Sequence, residues 1–127
     1  MSESQNINTK TEKSRQYDLE ERTLKFARAV IAFVRKLPKD VVNNEIIKQL
    51  VRSSGSVGAN YIEANEALSR KDFLMHIKIS RKEAKESRYW LNLIETDDEK
   101  MEKERLDFCD EAGQLMKIFG SIVEKTQ

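Results

Sequence analysis

An all-α fold, an antiparallel up-and-down four-helix bundle, is what this sequence predicts, on three observations. The chain of 127 residues holds one proline and four glycines. These are too few breakers for the turns of a β-sandwich, whereas Lys, Glu, Arg, Leu, Ile and Ala are abundant helix formers. Apolar residues recur at steps of three and four from Leu19 onward, the period of a helix with one buried face. The breaks between these stripes are short, and short connections make consecutive helices antiparallel neighbours. The length suits one domain whose core needs neither disulfides nor metal.

The first 14 residues are polar, with Ile7 as their single aliphatic side chain. They read as a disordered arm, which leaves residues 15–127 as the bundle domain. Leu19, Thr23, Phe26, Val30, Phe33 and Leu37 mark the first helix, expected over 18–36 and stopped by Pro38, which disfavours α geometry at the residue before it. Ile47, Leu50, Ser54, Val57, Tyr61 and Ala64 mark the second, over about 42–67. That helix contains Gly55 and Gly58, each costing ~1 kcal/mol relative to Ala, so a tertiary reason is expected for them. Ser69-Arg70-Lys71-Asp72 has capping-box spacing, with Leu68 and Phe73 placed as a hydrophobic staple. The third helix follows over 70–94. Thr96-Asp97-Asp98-Glu99 repeats the capping-box spacing ahead of the fourth. There Arg105, Phe108, Ala112, Leu115, Phe119 and Ile122 form the core stripe, flanked by Cys109, Met116 and Val123.

The formal net charge is +1 and names no partner, but its distribution is uneven. Residues 15–65 and 66–94 each carry +3, and residues 95–127 carry −5. A basic middle beside an acidic fourth helix implies a polarised surface or complementarity between subunits. Cys109 is the only cysteine and Met1 to Ser14 holds no apolar run, so the chain is expected in a reducing cytoplasm, without a disulfide framework or signal peptide. Apolar stretches are broken by Arg or Lys well short of ~18 residues, so no membrane partner is expected.

On a wheel at ~100° per residue the third helix sorts into three sectors. Phe73, Ile77, Ser80, Ala84, Ser87, Leu91 and Ile94 form the core face. Its small residues suggest close approach of another helix, for which the Gly/Ser segment of helix 2 is the candidate. Arg70, Lys71, Lys78, Arg81, Lys82, Lys85 and Arg88 occupy a second sector of ~120°, with no acid of the helix among them. Such a ridge is the footprint of a phosphate-backbone binder, and Tyr89 on the same arc could stack on a base. A solvated face paired with acids of a neighbouring helix or subunit is the alternative. Met75, Ile79, Trp90 and Leu93 form a third, apolar sector away from the core. With Val51 and Ile62 of helix 2 it points to an oligomer interface.

Catalytic chemistry finds little to stand on. The glycine segment lacks the Gly-Lys-Ser/Thr ending of a phosphate-binding loop and follows no strand. Glu63 with Glu66 and Glu83 with Glu86 resemble di-metal bundles, but those need two Glu-x-x-His motifs and His76 is the only histidine. His76 is expected as a partly buried polar residue at a helix margin, and Cys109 as a small core residue. The expectation is a protein that is not an enzyme and takes no cofactor or metal.

Leu37-Pro38, the run Q-L-V-R-S-S-G-S-V-G-A-N-Y-I-E-A-N-E-A from Gln49 to Ala67, S-R-K-D-F at 69–73 and K-E-A-K-E-S-R-Y-W-L from Lys82 to Leu91 closely resemble a bacterial family. This is the four-helix-bundle family encoded in intervening sequences of large-subunit (23S) ribosomal RNA genes. The resemblance covers residues 17–94 well and helix 4 by pattern. It implies an up-and-down bundle that assembles into a ring, typically a homopentamer. A related branch comprises the accessory proteins of diversity-generating retroelements, which bind nucleic acid and a reverse transcriptase through a basic surface. The matching positions here are the arc from Arg70 to Arg88. Two functions follow as expectations: a ring-forming protein that binds structured RNA or DNA or adapts a nucleic-acid enzyme, and a purely structural homo-oligomer or interaction scaffold.

Overall fold

The computed structural model describes the chain in full from residue 18 to residue 127, and by its backbone alone from residue 3. The disordered arm expected over residues 1–14 lies outside the fully described residues. Four helices follow one another: α1 (Glu3–Val34), α2 (Val41–Asn65), α3 (Arg70–Leu93) and α4 (Glu99–Thr126). The connections span residues 35–40, 66–69 and 94–98, short enough to make each helix the antiparallel neighbour of the last. Among the described residues no helix is long and apolar enough to cross a membrane.

The stripes read from the sequence are the ones that pack. Every residue of the α1 stripe, from Leu19 through Phe33 to Leu37, is buried. On α2, Leu50, Ser54, Val57, Tyr61 and Ala64 are buried, with Ile46 taking the inward position expected of Ile47, which is half-buried. On α4, Ala112, Leu115, Phe119 and Val123 are buried, while Ile122 and Cys109 lie at the core margin. The end of α1 is closed by the ammonium of Lys39, which donates to the carbonyls of Val34 at 3.0 Å and Leu37 at 2.7 Å. A cation there satisfies carbonyls that Pro38 prevents the helix from bonding.

Two of the expected caps differ from their sequence signatures. Ser69 does cap α3, its Oγ accepting from the amide of Asp72 at 3.1 Å, but Leu68 is fully exposed, so the staple with Phe73 does not form. Phe73 packs on the core instead. At α4 the N-cap is Asp98, which accepts from the amide of Lys100, and not Thr96. The Asp98 carboxylate sits at the junction itself and accepts from the free amide two residues on, at the N2 position of the helix. Thr96 is drawn off to donate to Glu102 at 2.6 Å.

Helix α3 lies between α2 and α4 and makes its most extensive contacts with them. The α2/α3 approach is bridged by hydroxyls. Ser80 Oγ donates to the carbonyl of Val57 at 2.9 Å, and Ser53 and Ser87 share a hydrogen bond of 2.9 Å between buried Oγ atoms. The close approach expected there is thus made by serines. The glycines serve elsewhere: Gly58 faces α1, where an added Cβ would lie 2.7 Å from Thr23 Oγ1, and Gly55 points outward with nothing within 4 Å. Thr23 cannot yield, because it is β-branched and its Oγ1 is bonded to the carbonyl of Leu19.

The α1/α4 seam is the loosest. Phe108 bridges it by ring contacts to Phe33 at 5.3 Å and Phe26 at 6.4 Å. Ion pairs Arg22–Glu111 and Lys36–Glu104, both at 2.7 Å, span the rim. Half-exposed pairs of this type contribute ~0–1 kcal/mol each, so the aromatic contact carries the seam.

Gly55→Ala is expected to stabilise the fold by about 1 kcal/mol, by helix propensity alone. Gly58→Ala is expected to destabilise it by about 1–3 kcal/mol despite the same gain in propensity, because the new methyl overpacks against Thr23. Urea unfolding of both variants, with Thr23→Ala/Gly58→Ala as the relief double, checks this. Equal stabilisation by both single substitutions would remove Thr23 as the constraint.

Candidate nucleic-acid interface

The serine contacts with α2 fix the rotation of α3, and the three sectors then fall where helical periodicity puts them. Ile77, Ser80, Ala84, Ser87, Leu91 and Ile94 are buried and Phe73 is half-buried. Of the seven basic residues, Arg70, Lys71, Lys78, Arg81, Lys82 and Lys85 are exposed and Arg88 is half-buried. None of the seven forms an ion pair or a side-chain hydrogen bond among the described residues. Tyr89, 59 % exposed, stands edge-on to Trp90 at 5.1 Å.

Four acids of α4 form ion pairs inside the chain. Glu111 holds Arg22 of α1, Glu104 holds Lys36 just past its end, Asp107 holds Lys103, and Glu102 holds Arg105. Glu102 is the most strongly bound. Arg105 donates to it at 2.9 and 2.6 Å and Thr96 adds a third bond at 2.6 Å, which holds its carboxyl down at about 2. Arg105 also donates to the carbonyl of Leu91 at 3.2 Å, tying the end of α3 to the start of α4. Cys109 donates to Asn92 Oδ1 at 3.4 Å across the same seam, and burial pushes its thiol up. It sits at the margin of the core and not within it.

The apolar third sector divides. Trp90 packs against the core of its own chain and its indole Nε1 is buried without a hydrogen-bond partner among the described residues. Ile79 is half-buried, while Met75 and Leu93 stay 47 % and 44 % exposed. Val51 and Ile62 on α2 are also exposed. Between the two helices lie polar contacts that no single-helix period signals: Arg52 donates to Glu83 at 3.1 Å and Glu86 at 3.3 Å, and His76 Nδ1 lies 3.2 Å from Asn60 Oδ1. The carboxylate pair Glu83 and Glu86 therefore receives a guanidinium. His76 is the half-buried marginal residue expected of it.

Comparison with known proteins matches the model of the 23S rRNA-intervening sequence protein family over residues 15–121. The chain belongs to that family. The match extends into α4 as far as residue 121, beyond the stretch where the motifs carry the resemblance. A solved relative is a protein of unknown function from the S23 ribosomal protein family of Bacteroides thetaiotaomicron. It is 28 % identical, with a TM-score of 0.70, over 86 % of this chain and 97 % of that one. No curated protein matches the chain. Family membership thus accounts for the bundle and leaves the basic face to be argued from its geometry.

Because the Glu102 carboxyl is held below its ordinary value near 4.5, its contribution to stability is full above that value and is lost as pH falls through about 2. Glu102→Gln is expected to unfold at lower temperature than wild type at neutral pH and to converge with it at the acid end. Thermal unfolding across that range, with an NMR titration of the Glu102 carboxyl, checks the sign. A midpoint near 4.5 would refute the tight Arg105–Thr96 cradle.

Proposed function

We propose that this protein is a non-enzymatic, self-associating helical bundle that binds structured nucleic acid, RNA or DNA, through the basic arc of α3, or presents such nucleic acid to a nucleic-acid enzyme. The observation that carries the reading is the partition of charge. Among the described residues the seven cations on one face of α3 meet no anion of their own chain, while Glu102, Glu104, Asp107 and Glu111 of α4 are taken by Arg105, Lys36, Lys103 and Arg22. An uncompensated row of cations calls for an external polyanion, and release of condensed counterions rewards its binding. The family's name, drawn from ribosomal RNA genes, agrees with that ligand class. The resemblance to retroelement accessory proteins makes a reverse transcriptase the matching type of enzyme partner.

Self-association rests on Met75 and Leu93, exposed beside the arc, with Ile79 and Trp90 at the margin of the same sector. The resemblance extends it to a ring of five copies in the cytoplasm. A purely structural oligomer, with the arc of one copy against α4 of the next, is the second reading. It is disfavoured by the internal pairing of four α4 acids, Glu102, Glu104, Asp107 and Glu111.

Fluorescence anisotropy with a structured RNA and a DNA duplex tests the proposal. Affinity should fall between ~50 and ~200 mM salt, linearly on logarithmic axes, and the triple reversal Lys78→Glu/Arg81→Glu/Lys85→Glu should flatten that slope by ~3 or more. No binding at low salt would refute the nucleic-acid reading. Met75→Glu/Leu93→Glu is expected to lower the mass seen by sedimentation while helicity is kept, and an unchanged mass would remove this sector as the contact.

A further inference from the structure

Glycine is the poorest helix residue after proline, yet α4 carries two, Gly113 and Gly120, seven residues apart. A separation of seven is two turns, so both lie on one face, ~10.5 Å apart along the axis. What covers them is charged. A Cβ on Gly113 would lie 3.3 Å from Arg88 Nη1, and one on Gly120 would lie 3.8 Å from Arg81 Cδ and 3.9 Å from its Nη1. Arg81 and Arg88 are themselves seven apart on the antiparallel α3. Each arginine therefore crosses the α3/α4 seam onto a glycine of the facing helix, and neither guanidinium has a hydrogen-bond or ion-pair partner among the described residues.

An arginine is suited to such a position in a way a lysine is not. Its planar fork keeps donors facing outward when one side lies on a helix, and it engages a phosphate through two bonds. A stem already held by packing loses less freedom on binding. Two carboxylates of α4 are held within the helix and its N-terminal turn: Glu102 by Arg105 and Thr96, and Asp110 by the side-chain amide of Gln114.

We propose that a phosphodiester backbone seats along the α3/α4 seam, with Arg81 and Arg88 as its two anchors and Gly113 and Gly120 as the shelves that hold them extended. The lysines farther round α3 then add attraction without fixing position. This rests on the nucleic-acid reading above and narrows it to a line on the surface. The spacing of ~10.5 Å between the two glycines sets the separation of the two anchors along the seam.

Equal removal of charge at two places provides the test. Anisotropy titrations of the intact protein would use an RNA hairpin, a DNA duplex and a single strand, with circular dichroism to verify folding of each variant. Arg81→Gln/Arg88→Gln is expected to weaken binding ~10-fold or more and to flatten the salt slope by ~2, on whichever probe binds. Lys78→Gln/Lys85→Gln removes the same charge and should cost several-fold less. Arg81→Lys/Arg88→Lys keeps the charge without the fork and should fall close to the glutamine pair. Gly113→Glu/Gly120→Glu leaves α3 untouched, places a carboxylate beside each guanidinium, and should weaken binding as much as loss of the arginines. Equal losses from the arginine and lysine pairs would overturn the seam while the arc reading survives. Absence of wild-type binding to all three probes would overturn both, and the probe preferred by wild type identifies the source of the phosphodiester.

Discussion

Between α2 and α3 two helix backbones come close enough for serine hydroxyls to bridge them, and the placement of every other side chain on α3 depends on that contact. Ser80 bonds the carbonyl of Val57, and Ser53 and Ser87 bond each other, all in the fully buried centre of the bundle. A satisfied hydrogen bond of this type contributes only ~0.5–1.5 kcal/mol, but a buried hydroxyl left unpaired costs ~1–3 kcal/mol. The serines therefore act less as adhesive than as a register: the helices have one relative setting in which all of them are satisfied. Rotating α3 by a single residue, ~100°, would carry its basic sector toward the core and its serines out of it.

Once α3 is set, the electrostatics follow from what remains within reach. Arg22 of α1 and Lys36 just past its end find Glu111 and Glu104 of α4 across an open seam, and Lys103 and Arg105 find acids on their own helix. The guanidinium of Arg52 is taken by Glu83 and Glu86 on the α2 side of α3. The basic arc on the opposite side has no such neighbour. A chain of nearly zero net charge thus holds a concentrated positive face, because the lysines and arginines of the α3 arc share one sector without an acid and enter no ion pair among the described residues. Net charge alone conceals this, since it sums over groups that have already neutralised one another.

Family membership and the fold explain each other without explaining the activity. A four-helix bundle built on small-residue contacts can carry many surfaces, and the relative from Bacteroides thetaiotaomicron shares the architecture while its own function is unknown. The functional argument has to stand on the few positions where local preference is overridden. Gly113 and Gly120 are such positions, poor helix residues covered by charge, and so is the indole nitrogen of Trp90, without a hydrogen-bond partner among the described residues, beside the exposed apolar margin. Departures from local consistency of this sort gather where a surface has work beyond folding.

The number of helices, their stripes and the three sectors of α3 were legible in the sequence, because each is a periodicity within one helix and needs no knowledge of a neighbour. The same holds for Ser69 as a cap, whose partner is three residues away. What failed or was missing depends on two elements at once. The partner of Gly58 is Thr23 of α1 and not α3, Asp98 displaces Thr96 as the cap once Glu102 and Arg105 claim the threonine, and Leu68 finds no surface to staple against. The overlay of Arg81 and Arg88 on Gly120 and Gly113 is of the same type. Helical periodicity assigns a residue to a face, but which atoms of the next helix meet that face is set by interhelix register, and only the packed bundle decides it.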